Sequence, residues 1–131
     1  MHILLGLDLT EVPRIARVLD RFGERFLTRV FNPGELSRRR VHRAAFAQHV
    51  AGRFAAKEAA MKALGLGWRG LAFREIVIGR DPRGKPTLRF EGRARARAEE
   101  LVVTSAEVTI THTRDLAAAA VALVTGETHG G

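Results

Sequence analysis

Apolar residues fill most of positions 2–9, and so short an aliphatic run reads as a buried strand. Beyond it the spacing changes. Ile15, Val18, Leu19 and Phe22 recur at helical intervals, which puts them on one face of an amphipathic helix. Thr10 is expected to cap that helix, with Pro13 in its first turn and Gly23 ending it. A short helical piece is expected over 26–31, and another beginning after Pro33-Gly34 with Glu35 and Leu36. A long helix then runs over 43–64, stopped by Gly65 and Gly67. Two strands follow, 72–78 and 86–90, joined by the turn Asp81-Pro82-Arg83-Gly84. Residues 94–101 read as a short helix and 108–111 as a strand. Segment 116–124 reads both ways: its run of four consecutive alanines favours helix, whereas its length and apolar end suit a buried strand. The sum is an α+β fold in a single domain, 1–131, with one long helix covering a small antiparallel sheet.

The long helix carries the informative pattern. At about 100° per residue, Phe46, Val50, Phe54, Met61 and Leu64 share the core stripe. Glu58 and Lys62 lie one turn apart beside it, among the small residues Ala47, Ala51 and Ala55. That low-relief surface allows another backbone or a flat ligand to come close. Taken alone, a Glu–Lys pair at this spacing is a common solvated device worth about 0.2–0.5 kcal/mol. Lys57 is odder, because it points into the apolar stripe and must snorkel or meet a partner.

Composition narrows the class. At 131 residues and 46% apolar the chain suits one globular domain of a size that often gains stability by oligomerising. There is no internal repeat, no low-complexity linker and no apolar run near the ~20 residues that span a bilayer, so no membrane partner is expected. The N-terminus lacks the basic start and cleavage site of a signal peptide, and a cytoplasmic location is expected. The absence of cysteine excludes a disulfide framework and any thiolate zinc site. The net charge of +8 attracts polyanions: nucleic acid, acidic proteins, phosphorylated cofactors or anionic lipid. Arginine makes up nineteen of the twenty-two cationic residues, which can also reflect genome composition. A basic nucleic-acid-binding module is the alternative reading. Against it stand only eight aromatic residues, no tyrosine, and no basic-aromatic interleaving or zinc motif.

Three separated segments decide between these readings. They are G-L-D-L-T-E-V-P-R-I at 6–15, A-G-R-F-A-A-K-E-A-A-M-K-A-L-G at 51–65, and V-T-I-T-H-T at 108–113. In order and spacing they closely resemble the holo-[acyl-carrier-protein] synthase family of phosphopantetheinyl transferases. The resemblance covers the chain from Gly6 to Val124. The helix segment is the most specific, the first segment moderately so, and T-H-T alone would be weak. Gly84-Lys85-Pro86 and Glu35 also stand where the family has them.

The resemblance implies a reaction: a serine of an acidic acyl carrier protein attacks coenzyme A, takes 4′-phosphopantetheine and releases 3′,5′-ADP, with Mg²⁺ required. It implies that Asp8 and Glu58 hold Mg²⁺, a cation that prefers oxygen and commonly takes one or two carboxylates plus substrate phosphates. Glu58, Lys62 and His112 would be the catalytic residues, Lys62 neutralising phosphate charge and His112 lying near the phosphates. Glu58, a water held by the metal, or no strong base at all are each compatible with removal of the serine proton. Coenzyme A would meet Arg53, Lys62, Gly84, Lys85, Pro86, His112 and Thr113. The run 38–43 could reach the 3′-phosphate, but the match is loose: the family often has a basic residue where this chain has Ala45, and Arg43 stands nearly a turn away. Arg14, Arg17 and Arg21 share one helix face that would grip the carrier protein, with Arg25 near it. The family is a homotrimer with active sites between subunits, one giving the metal carboxylates and its neighbour the strand and turn contacts. It serves fatty acid biosynthesis and lipid metabolism; the sequence does not choose between a fatty-acid and a polyketide carrier.

Overall fold

A computed structural model describes residues 1–36, 42–65 and 72–127. Gly67 and residues 38–41 of the basic run lie outside the described residues. Strand β1 (Ile3–Glu11) leads into helices α1 (Val12–Phe22) and α2 (Glu24–Val30), and then into the long helix α3 (Arg43–Leu64). A 3-10 turn at Phe73–Glu75 precedes the hairpin β2 (Ile76–Arg80) and β3 (Pro86–Phe90). Helix α4 (Gly92–Glu100) and strands β4 (Val103–His112) and β5 (Leu116–Thr125) complete the described chain. The strands form an antiparallel three-stranded sheet in the order β1-β5-β4 and a separate hairpin. The expected α+β class holds.

Close packing follows from small residues. Successive side chains of a strand point to opposite faces. On β1, Gly6, Asp8 and Thr10 face α3, opposite Val121, Ala119 and Ala117 of β5. A Cβ at Gly6 would lie 1.8 Å from the carbonyl oxygen of Ala59, so strand and helix backbones touch there. Gly52 makes a second close approach, to the side chain of Ile110 on β4. Helix α3 therefore rests on β4 through its first half and on β1 through its second.

Several local expectations are corrected by this packing. Ala47, Ala51 and Ala55 are buried, and the backbone that comes close to α3 is the chain's own, Gly6 against Ala59. Segment 116–124 is strand because its alanines form the floor under α3. Thr10 stays in β1: α1 has Glu11 at its N-cap, no side-chain cap bond, and its first backbone N–H donates to the Asp115 carbonyl at 2.9 Å. Glu35 and Leu36 are not helical, and residues 72–75 enter β2 through the 3-10 turn rather than as strand. Phe22 is 42% exposed instead of packed. Gly65, at φ 74°, ends α3 as expected.

Lys57 finds its partner in Glu35. Its fully buried ammonium donates to Glu35 Oε1 at 3.0 Å and to the carbonyls of Phe73 and Ile76 at 3.0 and 2.7 Å, which uses all three donors. Burial pushes this ammonium below its ordinary range, while the Glu35 carboxylate works against that. The second Glu35 oxygen accepts from the Ile78 N–H at 2.9 Å. The pair joins the loop before α3 to the helix and the hairpin.

One surface stands out. The face of β1 turned away from α3 carries Ile3, Leu5, Leu7 and Leu9, each at least 60% exposed, beside Leu116 at 39%. An aliphatic stripe of this kind on a single chain marks an interaction surface.

Candidate active site

The backbone contact at Gly6 brings Asp8 on β1 against the second half of α3. Asp8 is buried, and Lys62 Nζ donates to its Oδ1 at 3.1 Å and to the Leu7 carbonyl at 3.0 Å. Thr10 Oγ1 donates to the other oxygen, Oδ2, at 3.1 Å. Glu58 sits one turn before Lys62 and shares a hydrogen bond with Asp8. Its carboxyl is pushed up from 4.5 to about 7, first by burial, then by that hydrogen bond and by the Asp8 charge; Lys62 and Arg14 pull the other way. Such adjoining carboxylates call for a proton or a cation between them. Among the described residues no group of three or more histidine, aspartate or glutamate side chains gathers. Paired carboxylate oxygens fit a hard cation that completes its shell with water and phosphate.

A second group of predicted residues meets on the other flank of α3. Arg53, Gly84, Pro86 and His112 line one groove of about 480 Å³, joined by Gln48 and His49. Arg53 is buried, and its Nε donates to the Glu35 carbonyl at 3.2 Å. Gly84 takes φ 88° in the hairpin turn, where its carbonyl accepts from Arg80 Nη1 at 2.9 Å. Lys85 and Thr113 are not in the lining. Lys85 pairs with Glu107 at 2.8 Å, and a hydrogen bond with that carboxylate raises its pKa. Thr113 closes the β4–β5 turn, its Oγ1 accepting from the Leu116 N–H at 3.2 Å. His112 and Thr10 both pair with Ala117, so β5 separates them by two strand spacings, about 10 Å. Within one chain α3 stands between the carboxylate cluster and the groove.

Arg14, Arg17 and Arg21 are exposed on α1, and Arg21 lies 5.2 Å over the ring of Phe22. Arg14 is close enough to act on Glu58, so this face begins beside the carboxylates. Arg43 is ion-paired with Asp20 of α1.

The profile of the 4′-phosphopantetheinyl transferase superfamily matches residues 4–121. Holo-[acyl-carrier-protein] synthase of Koribacter versatilis is 44% identical over 119 residues, covering 90% of this chain and 94% of that protein. The chain belongs to the holo-[acyl-carrier-protein] synthase family. Solved synthases share its fold. The acyl carrier protein synthase of Plasmodium yoelii, with ADP bound, has a TM-score of 0.84 at 30% identity, covering 96% of this chain and 98% of that one. The Helicobacter pylori holo-[acyl-carrier-protein] synthase in complex with coenzyme A has a TM-score of 0.79 at 28% identity, covering 92% and 99%. The chain is thus an enzyme, a phosphopantetheinyl transferase. This membership gives the nucleic-acid-binding alternative no support.

In this synthase some site residues escaped the sequence reading. Gln48, His49 and Arg80 line the groove without belonging to any quoted motif beyond the helix itself. Thr10 was expected at a helix cap, yet it touches Asp8. Its separation from Asp8 by two positions on one strand face was the available signal.

Proposed function

We propose that the enzyme transfers 4′-phosphopantetheine from coenzyme A to a serine of an acidic apo-acyl carrier protein, with Mg²⁺ held by Asp8 and Glu58. The observation that carries this reading is the Asp8–Glu58 carboxylate pair with Lys62 against it. The serine oxygen bonds to the phosphorus bearing pantetheine, the bond from that phosphorus to the bridging oxygen breaks, 3′,5′-ADP leaves with the bridging oxygen, and the serine proton passes to Glu58 or to water. Mg²⁺, when bound, supplies charge neutralisation over the pyrophosphate. Phosphoryl transfer asks chiefly for positioning and charge neutralisation from the protein. Lys62 brings a cation one turn from Glu58, and Arg53 and His112 bring polar groups to the groove, which would take the nucleotide against the turn at Gly84 and Pro86. Lys85 and Thr113 would join by leaving Glu107 and by turning toward a ligand at the rim.

Assembly into a homotrimer belongs to this proposal. Two features support it: the aliphatic face of β1, and the placement of groove and carboxylates on opposite flanks of α3. A site made from one subunit's carboxylates and its neighbour's groove would bring them together. Charge complementarity between Arg14, Arg17 and Arg21 and an acidic domain supports the carrier partner. A cytoplasmic location, with a role in fatty acid or polyketide synthesis, completes the reading. Its support is the cysteine-free composition. Among the described residues no helix is long and apolar enough to cross a membrane.

The test is direct. Apo-carrier protein, coenzyme A, Mg²⁺ and the enzyme are mixed, and intact mass spectrometry follows the carrier. A phosphopantetheine adduct on serine with release of 3′,5′-ADP is expected, and chelation of Mg²⁺ should stop it. An adduct that forms at full rate in excess EDTA overturns the metal assignment; no adduct at all overturns the reaction.

A further inference from the structure

Thr10 is buried on the inward face of β1, at 7% exposure, and has one hydroxyl proton to give. It does not cap α1, whose first N–H is bound by the Asp115 carbonyl. The proton goes to Asp8 Oδ2 at 3.1 Å, while Oδ1 receives Lys62 at 3.1 Å. The outer torsion of an aspartate is soft and roughly two-fold, so a free carboxylate can turn its plane. A donor fixed to the same strand two residues on, within a pairing that also fixes Ala117 and Ala119, removes that freedom. Oxygen Oδ1 is left directed at α3, on the side of Lys62 and Glu58.

We propose that Thr10 is a positioning residue for the metal carboxylate, setting the plane of Asp8 so that Oδ1 is presented for divalent cation binding. This rests on the reading of Asp8 and Glu58 as the Mg²⁺ ligands. Hydrogen-bond partners of metal ligands commonly account for 10–100-fold in metal affinity. The hydroxyl thus acts on affinity for the cation and leaves the groove for coenzyme A alone.

The experiment measures Mn²⁺ binding by electron paramagnetic resonance on protein saturated with coenzyme A, for wild type, Asp8→Ala, Thr10→Val, Thr10→Ala and Thr10→Ser. Thr10→Val keeps the shape and removes the hydroxyl; about tenfold or greater loss of Mn²⁺ affinity is expected. Thr10→Ala, which adds no bulk, should show the same loss, and Thr10→Ser should bind within about twofold of wild type. Turnover of Thr10→Val should return to near the wild-type rate at saturating Mg²⁺, with the activating concentration shifted upward by the same factor. A role in folding alone would lower the maximal rate or the melting temperature and leave the metal dependence in place. Wild-type affinity in Thr10→Ala overturns the proposal, whatever Thr10→Val shows, because packing would then account for any valine effect. If Asp8→Ala binds Mn²⁺ as wild type does, the metal site itself is misassigned and both readings fall.

Discussion

Glu58 couples protonation to folding at the scale of one residue. Its carboxyl binds a proton more tightly in the folded, metal-free protein, at about 7, than an unfolded chain would at 4.5. The stabilisation from that proton is complete below the unfolded value and is lost as pH rises through the folded one. Metal-free protein should therefore lose stability between pH 5 and pH 8, measured by urea unfolding in EDTA, and Glu58→Gln should flatten that slope. On the proposed metal assignment a cation takes the place of that proton, so Mg²⁺ affinity should rise over the same interval. A wild-type slope that survives in Glu58→Gln assigns the pH dependence to another group. The Lys57–Glu35 pair contrasts with this. It is buried with every ammonium donor engaged, and removing one partner alone would strand a charge.

At the scale of elements, the contact between β1 and α3 sets the spacing of the carboxylates. Gly6→Ala would drive a methyl group into the Ala59 carbonyl, and the strand or helix must give way. Overpacking of this kind costs about 1–3 kcal/mol. The variant should unfold at lower urea and lose activity beyond what its folded fraction explains, because Asp8 moves off Glu58; an active variant of wild-type stability would show that the backbones have room. On α1, Arg14 lies beside Glu58, whereas Arg17 and Arg21 share only the exposed face. Arg14→Glu should raise the KM for carrier protein and also lower kcat. Arg17→Glu should raise KM alone, an effect blunted by salt as the Debye length falls from about 10 Å at 0.1 M to about 3 Å at 1 M. Equal effects of both substitutions on kcat would remove Arg14 from the carboxylate rim. The limits of the sequence show at this scale too. Helix α3 was legible to its ends because its length and Gly65 are local signals. Strand β5 was not, since its alanines answer to a helix far away in the chain that sits upon them. The site motifs were legible as a set, yet their division between two flanks of α3 depends on the β1-β5-β4 order, which no local pattern encodes.

For the whole molecule, the flank-to-flank division makes a shared site testable. A Glu58→Ala chain lacks one carboxylate and a His112→Ala chain lacks one groove residue. Unfolded together and refolded as the proposed mixed assembly, they should regain part of the activity that each lacks alone, because some interfaces would pair an intact Glu58 with an intact His112. Light scattering that finds an active monomer, or no recovery on mixing, would defeat the shared-site reading. The aliphatic stripe of β1 bears on something else, the life of the chain before it finds its partners. Its residues Ile3, Leu5, Leu7 and Leu9 lie on an edge strand of the three-stranded sheet. An exposed, flat, hydrophobic edge is a template for wrong pairing. If the assembly proposed above is what covers this stripe, dilution is the stress that uncovers it, and a cell that makes the chain faster than it assembles would find it in inclusion bodies.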